Sequence, residues 1–85
     1  MDIKDIRNNI DQVDNQLLEL LKERFNLASD VIEFKKLNNL EIENKQREEE
    51  IIKEIENKLD EDNKEEIINI FKEIIKQSKV YQSKK

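Results

Sequence analysis

Three arginines stand among thirteen lysines in this 85-residue chain, which has no His and no Cys. Those counts limit the chemistry available. Without imidazole, a Ser-His-Asp triad and histidine-based general acid or base catalysis are excluded. Without thiols, disulfides and thiolate metal sites are excluded as well. Oxygen-only metal sites stay open, but no Asp-rich calcium loop with its turn glycine is present. What remains is mainly recognition by cations and hydrogen bonds. Arginine differs from lysine in its planar fork, which binds a carboxylate through two hydrogen bonds and is easier to bury. In a chain that otherwise uses Lys as its cation, Arg7, Arg24 and Arg47 are therefore read one by one.

Arg24 interrupts an apolar stripe. Ile3, Ile6, Ile10, Val13, Leu17, Leu20, Leu27, Val31 and Phe34 recur at alternating spacings of three and four, a coiled-coil-like seam with Arg24 where an apolar residue is expected. A guanidinium there is costly unless an anion meets it. Two readings are open: a register-setting residue paired with a buried Glu, or a residue that receives an external anion. Lys35 favours the second. It lies eleven residues further on, within about 20° of Arg24 around a helix. Small side chains, Ala28 and Val31, lie between the two cations. The plain alternative for Lys35 is a surface lysine lying along the helix. Arg7 is seventeen residues before Arg24, about 25 Å along the axis. Both reach one small ligand only if two such helices pack antiparallel and Arg7 comes from the other chain; otherwise Arg7 is a solvated surface residue.

Two further polar sets lie in line with apolar faces. Arg47 and Glu48 are one turn before Ile51 and Ile52. Ser78 and Gln82 continue the stripe of Ile67, Phe71 and Ile74. Exposure of the first pair and a fading stripe at the second are the plain alternatives. Taken together, Arg, Lys, Arg, Glu, Ser and Gln suit a small polyanion that carries a hydroxyl or ether.

The elements that must position these residues are helices. With no Gly and no Pro, an all-β or α/β reading is very hard to sustain. The periodicity predicts a first helix from Asp2 to about Leu37, capped by Asp2, with Asn38 and Asn39 ending it. At about 50 Å it is longer than an 85-residue globule is wide. Leu18, Leu21, Phe25, Ala28 and Ile32 widen its apolar face, so several neighbours are expected. A link through Leu40 and Ile42 leads to a second helix, about Asn44 to Leu59. Asp60 to Asn63 break the chain again, and Asn63 with Glu66 fits a capping box for a third helix from Lys64 to about Ser83. Nothing in the chain suggests more than one domain over residues 1–85, and so small a core makes oligomerisation a reasonable expectation. Charged residues make up 44% of the chain and the net charge is −5, a poor match for nucleic acid or an anionic membrane. No apolar run approaches a membrane span and the N-terminus lacks the apolar core of a signal peptide, so a cytoplasmic protein is expected.

The ordered set resembles the all-α chorismate mutases. The residues that carry the resemblance begin with Ile6-Arg7, Ile10-Asp11, Asp14, Leu17-Leu18, Leu20-Leu21 and Glu23-Arg24. They continue with Leu27-Ala28, Val31, Lys35, Arg47-Glu48, Ile70-Phe71, Ile74-Ile75, Ser78 and Gln82. No single piece is specific, but the set covers nearly the whole chain. The resemblance implies an all-α fold of one long and two shorter helices in an intertwined homodimer, each of whose two sites takes an arginine from the partner chain. Arg7 is similar to that cross-subunit arginine, Arg24 to the main carboxylate-binding arginine, and Lys35 to the lysine on the ether oxygen and a carboxylate. Arg47 falls at a further substrate-side arginine and Glu48 at the glutamate that accepts the ring hydroxyl. Ser78 and Gln82 match the serine and glutamine of the last helix, Gln82 being the second donor to the ether oxygen. Where many members carry Asp one turn before the glutamate, this chain has Asn44. The Pro and Gly usual near the second helix's start are missing, and the loop after that helix is short.

The implied reaction is the [3,3] rearrangement of chorismate to prephenate in phenylalanine and tyrosine biosynthesis. It needs no nucleophile, base or cofactor, only a grip on the reactive conformer and donors for the ether oxygen. Two alternatives stand beside it: isochorismate pyruvate lyase, which shares the fold, and a non-catalytic regulatory or assembly module.

Overall fold

The structure, a computed structural model, describes residues 2–41 and 43–85; Ile42, assigned from sequence to the first link, lies outside them. Three helices account for most of the chain: α1 (Ile3–Leu37), α2 (Lys45–Lys58) and α3 (Lys64–Ser83), with no strand among the described residues. No helix among them is long and apolar enough to cross a membrane.

Local chemistry sets the boundaries. Asp2 caps α1, its Oδ1 accepting from the Asp5 amide at 3.0 Å. At the other end Asn38 is the C-cap and Asn39 has φ 54°, in the left-handed region. The Leu40 amide reaches the Lys35 carbonyl at 2.9 Å and the Asn39 amide reaches that of Lys36 at 3.4 Å. This is the Schellman pattern, made here without glycine. Asn tolerates the left-handed region because it lacks a β-branch and can hydrogen-bond locally. Asn39→Val should therefore lower stability by about 1–2 kcal/mol, whereas Asn39→Gly should be neutral or stabilising. Thermal melts of the two variants check this, and equal melting temperatures would refute it.

Asn44 caps α2, accepting from the Arg47 amide at 3.0 Å. The capping box expected for α3 is not formed: Asn63 makes no side-chain cap bond. Its φ/ψ of −94°/13° explains why. A capping side chain turns back onto the first amides from extended backbone. Here a turn closed by Lys64 N–H donating to the Glu61 carbonyl at 3.2 Å winds the chain before the helix begins.

α3 is the central element. It packs on α1 and on α2, while α1 and α2 do not pack on each other. Along α1 the side that meets α3 carries Leu21, Phe25, Ala28 and Ile32, and Ile32 is the most buried, at 2% exposure. Phe25 meets Tyr81 edge-on, with ring centroids 5.3 Å apart. Residues 2–20 are all exposed. The apolar seam thus lies open from Ile3 to Phe34. The apolar face of α1 predicts several neighbours; among the described residues α3 is the helix that packs on it. The shape follows from that unsupported half: the molecule extends 55 × 25 × 16 Å with a radius of gyration of 16.1 Å, against about 12 Å for a compact domain of this length.

Candidate active site

Each helix brings one face to a common cleft of about 310 Å³. α1 contributes Arg24, Leu27, Ala28, Val31 and Lys35; α2 with its cap contributes Asn44, Arg47, Glu48 and Ile51; α3 contributes Ile75, Ser78, Lys79 and Gln82. Within each set the residues recur three and four apart, the spacing that places side chains on one helical face. Glu43, from the link before α2, completes the lining. The volume lies at the lower end of small-ligand pockets.

Hydrogen bonds between α1 and α3 fix the cationic wall. Arg24 is half-buried and its Nη1 donates to Ser78 Oγ at 2.7 Å. Ser78 is 8% exposed and donates in turn to the Ile74 carbonyl at 2.9 Å. Its one O–H is thereby used within α3, and its oxygen serves to aim the guanidinium. Arg24 has no ion pair among the described residues, so the reading in which a buried Glu meets it is not what the structure contains. Gln82 Nε2 donates to the Ala28 carbonyl at 3.0 Å. A carboxamide nitrogen carries two hydrogens, so one N–H of Gln82 is left for a ligand. Asn44 likewise uses its oxygen as the helix cap and keeps its amino group.

Lys35 sits in the last turn of α1, where the helix dipole favours a cation. Its own carbonyl accepts the Leu40 amide, so the turn that ends the helix also fixes the backbone of this residue. Arg47 is exposed and pairs with Glu50 at 3.7 Å, an interaction that solvent weakens. Glu48 is half-buried in the first turn of α2, and its Oε1 accepts from Lys79 Nζ at 3.1 Å. Lys79 also reaches Glu43 at 3.6 Å. The hydrogen bond with Glu48, and then the charges of Glu48 and Glu43, hold the Lys79 ammonium above its ordinary value of 10.5 against partial desolvation. A raised lysine stabilises the fold below its ordinary value and loses that contribution as pH climbs through the raised one. Lys79 is therefore an ammonium at neutral pH.

Every candidate residue picked out in the sequence lines this cleft except Arg7, which lies in the exposed N-terminal half of α1. Two lining residues were not foreseen, Glu43 and Lys79. Lys79 follows Ile75 by four and precedes Gln82 by three, so the face was readable; one lysine among thirteen gave no reason to single it out. The lining carries four cations, Arg24, Lys35, Arg47 and Lys79, against two carboxylates. The cleft thus has a local positive balance inside a chain of net charge −5.

Fold and cleft together define a three-helix domain whose cations converge on a space the size of a small anion. Residues 6–83 match the model of the chorismate mutase type II family. The chain is 37% identical over 82 residues to a protein of Methanocaldococcus jannaschii described as chorismate mutase, with 94% of this chain and 83% of the relative covered. No solved structure matches the chain. The chain belongs to the type II, all-α chorismate mutase family, in agreement with the resemblance its sequence carries over nearly its whole length.

Proposed function

We propose that the cleft converts chorismate to prephenate, and that each working cleft is completed by Arg7 of a second copy of the chain. Family membership supports the reaction. The observation that carries the site is the half-buried Arg24, aimed by Ser78 and without a carboxylate partner among the described residues. Such a guanidinium is prepared for a carboxylate that arrives with the ligand.

The reaction breaks a C–O bond and forms a C–C bond in one cyclic step, so the side chains neither attack nor take a proton. Their first task is to hold the flexible enolpyruvyl arm over the ring. Arg24 and Arg47, with the second copy's Arg7, grip the two carboxylates and lower the entropy cost of the reactive pose. Their second task is to stabilise charge growing on the ether oxygen. Lys35 and the remaining N–H of Gln82 donate there, in a site partly withdrawn from water. Glu48 accepts the ring hydroxyl, and the Asn44 amino group lies on the same wall. Ser78 acts through Arg24.

The open seam of α1 supports the pairing. Ile10, Leu17 and Leu20 are 51%, 51% and 60% exposed on one stripe, and a contiguous apolar surface of that kind marks an interaction site. The test is loss of chorismate absorbance on adding the protein, with pyruvate release from isochorismate measured in parallel to identify a lyase. Because none of these roles needs a side chain to change protonation near neutrality, turnover should be nearly flat between about pH 6 and 8. A steep optimum inside that interval would mean that another group donates to the ether oxygen.

A further inference from the structure

Lys79 has no role in the mechanism above, yet it joins two elements of the cleft wall. Its ammonium links Glu48 of α2 to Glu43 of the preceding link, at 3.1 and 3.6 Å. Glu48 is the less exposed carboxylate of the two, at 26% against 52%. The pair also separates two cavities. On the far side of α2 and α3 runs a groove of about 500 Å³ whose lining shares Glu48, Ile75 and Lys79 with the cleft.

The electrostatic consequence is specific. A half-buried carboxylate beside Arg24, Lys35 and Arg47 would be drawn to one of them, and that cation would then be lost to an arriving anion. Lys79 engages Glu48 from α3 instead. Oε1 is taken, and Oε2 has no hydrogen-bond partner among the described residues. One acceptor is thereby left for a hydroxyl, and Arg24, without an ion pair among the described residues, is left for a carboxylate.

We propose that Lys79 is a positioning residue that fixes Glu48 for the ring hydroxyl and so makes the cleft selective for a hydroxylated ring. The proposal rests on the mutase reading above. The hydroxyl is not among the six atoms that rearrange, so an analogue without it can still react and serves as the discriminating probe.

The experiment compares wild type, Lys79→Met, Lys79→Arg, Glu48→Gln and the Lys79→Met/Glu48→Gln double variant on chorismate and on the analogue lacking the ring hydroxyl. Circular dichroism melts are run on each. With chorismate, Lys79→Met should lower kcat/KM by about ten- to a hundredfold, and Lys79→Arg should recover most of the loss. With the analogue, Lys79→Met should match wild type. In the Glu48→Gln background the same change should cost less than about twofold, because the two residues act as one unit. Equal losses on both substrates, full additivity with Glu48→Gln, or unchanged activity would each overturn the role. A loss that tracks a lowered melting temperature and is not rescued by Arg would overturn it as well. Wild-type protein inactive on chorismate would overturn the mutase reading itself, and is thereby told apart from a failure at Lys79.

Discussion

Replacing Lys35 by Ala should lower chorismate turnover by about a hundred- to a thousandfold, the usual loss when one donor to a developing oxyanion is removed. The helical circular dichroism signal should not change. Lys35 is a polar side chain in the last turn of α1, and the turn bonds that end this helix are made by backbone groups. Alanine keeps those backbone bonds and is the best helix former, so the fold should be retained. The loss should fall chiefly on kcat, because charge on the ether oxygen grows only as the bond breaks. Arg24→Ala should be as damaging but should raise KM as well, since the guanidinium grips a carboxylate already present in the bound substrate. It also frees Ser78 Oγ of its 2.7 Å donor. Near-normal turnover in either folded variant would remove that residue from the site.

Arg7→Ala and Arg24→Ala should each be almost inactive alone and should recover activity when unfolded and refolded together. If two chains pair along their seams and exchange Arg7, a mixed dimer has one cleft with both residues intact and one with neither. Random pairing makes half the dimers mixed, so recovery should approach about a quarter of the wild-type sites. The placement of Arg7 supports this arrangement. It projects from the exposed half of α1, about 25 Å along the helix from Arg24. A straight helix cannot bring both to one ligand. A refolded mixture no more active than its components would reject the shared site, and sedimentation would show whether pairing itself had failed.

Much of this architecture was readable beforehand because helices declare themselves locally. The periodicity gave α1 to Leu37 and α3 to Ser83, and the Asn38-Asn39 pair gave the stop after α1. The exception is also local: Asn63 has the right identity and spacing for a capping box, but the turn drawn by Glu61 and Lys64 sets its backbone outside the range a cap needs. The site divides in the same way. Arg24 was conspicuous because it breaks a stripe. Lys79 was not, because a charged residue at a helix surface is ordinary until packing brings Glu48 and Glu43 to it. The Arg24–Ser78 bond spans 54 positions of sequence. It depends on how α1 and α3 are set against each other, which no local pattern encodes.

The lack of packing between α1 and α2 has a consequence for binding. The cleft lies between the faces they turn toward one another, and among the described residues it is α3 that packs on both. A ligand held as proposed, by Arg24 and Lys35 on one side and by Arg47 and Glu48 on the other, would become the interior those helices lack. Occupancy and tertiary closure are then a single equilibrium, so ligand affinity appears as added resistance to unfolding. In the proposed reaction both carboxylates are kept and the ether oxygen becomes the ketone oxygen of the pyruvyl arm, so the product still offers the same groups to the helices, and its release should require them to part.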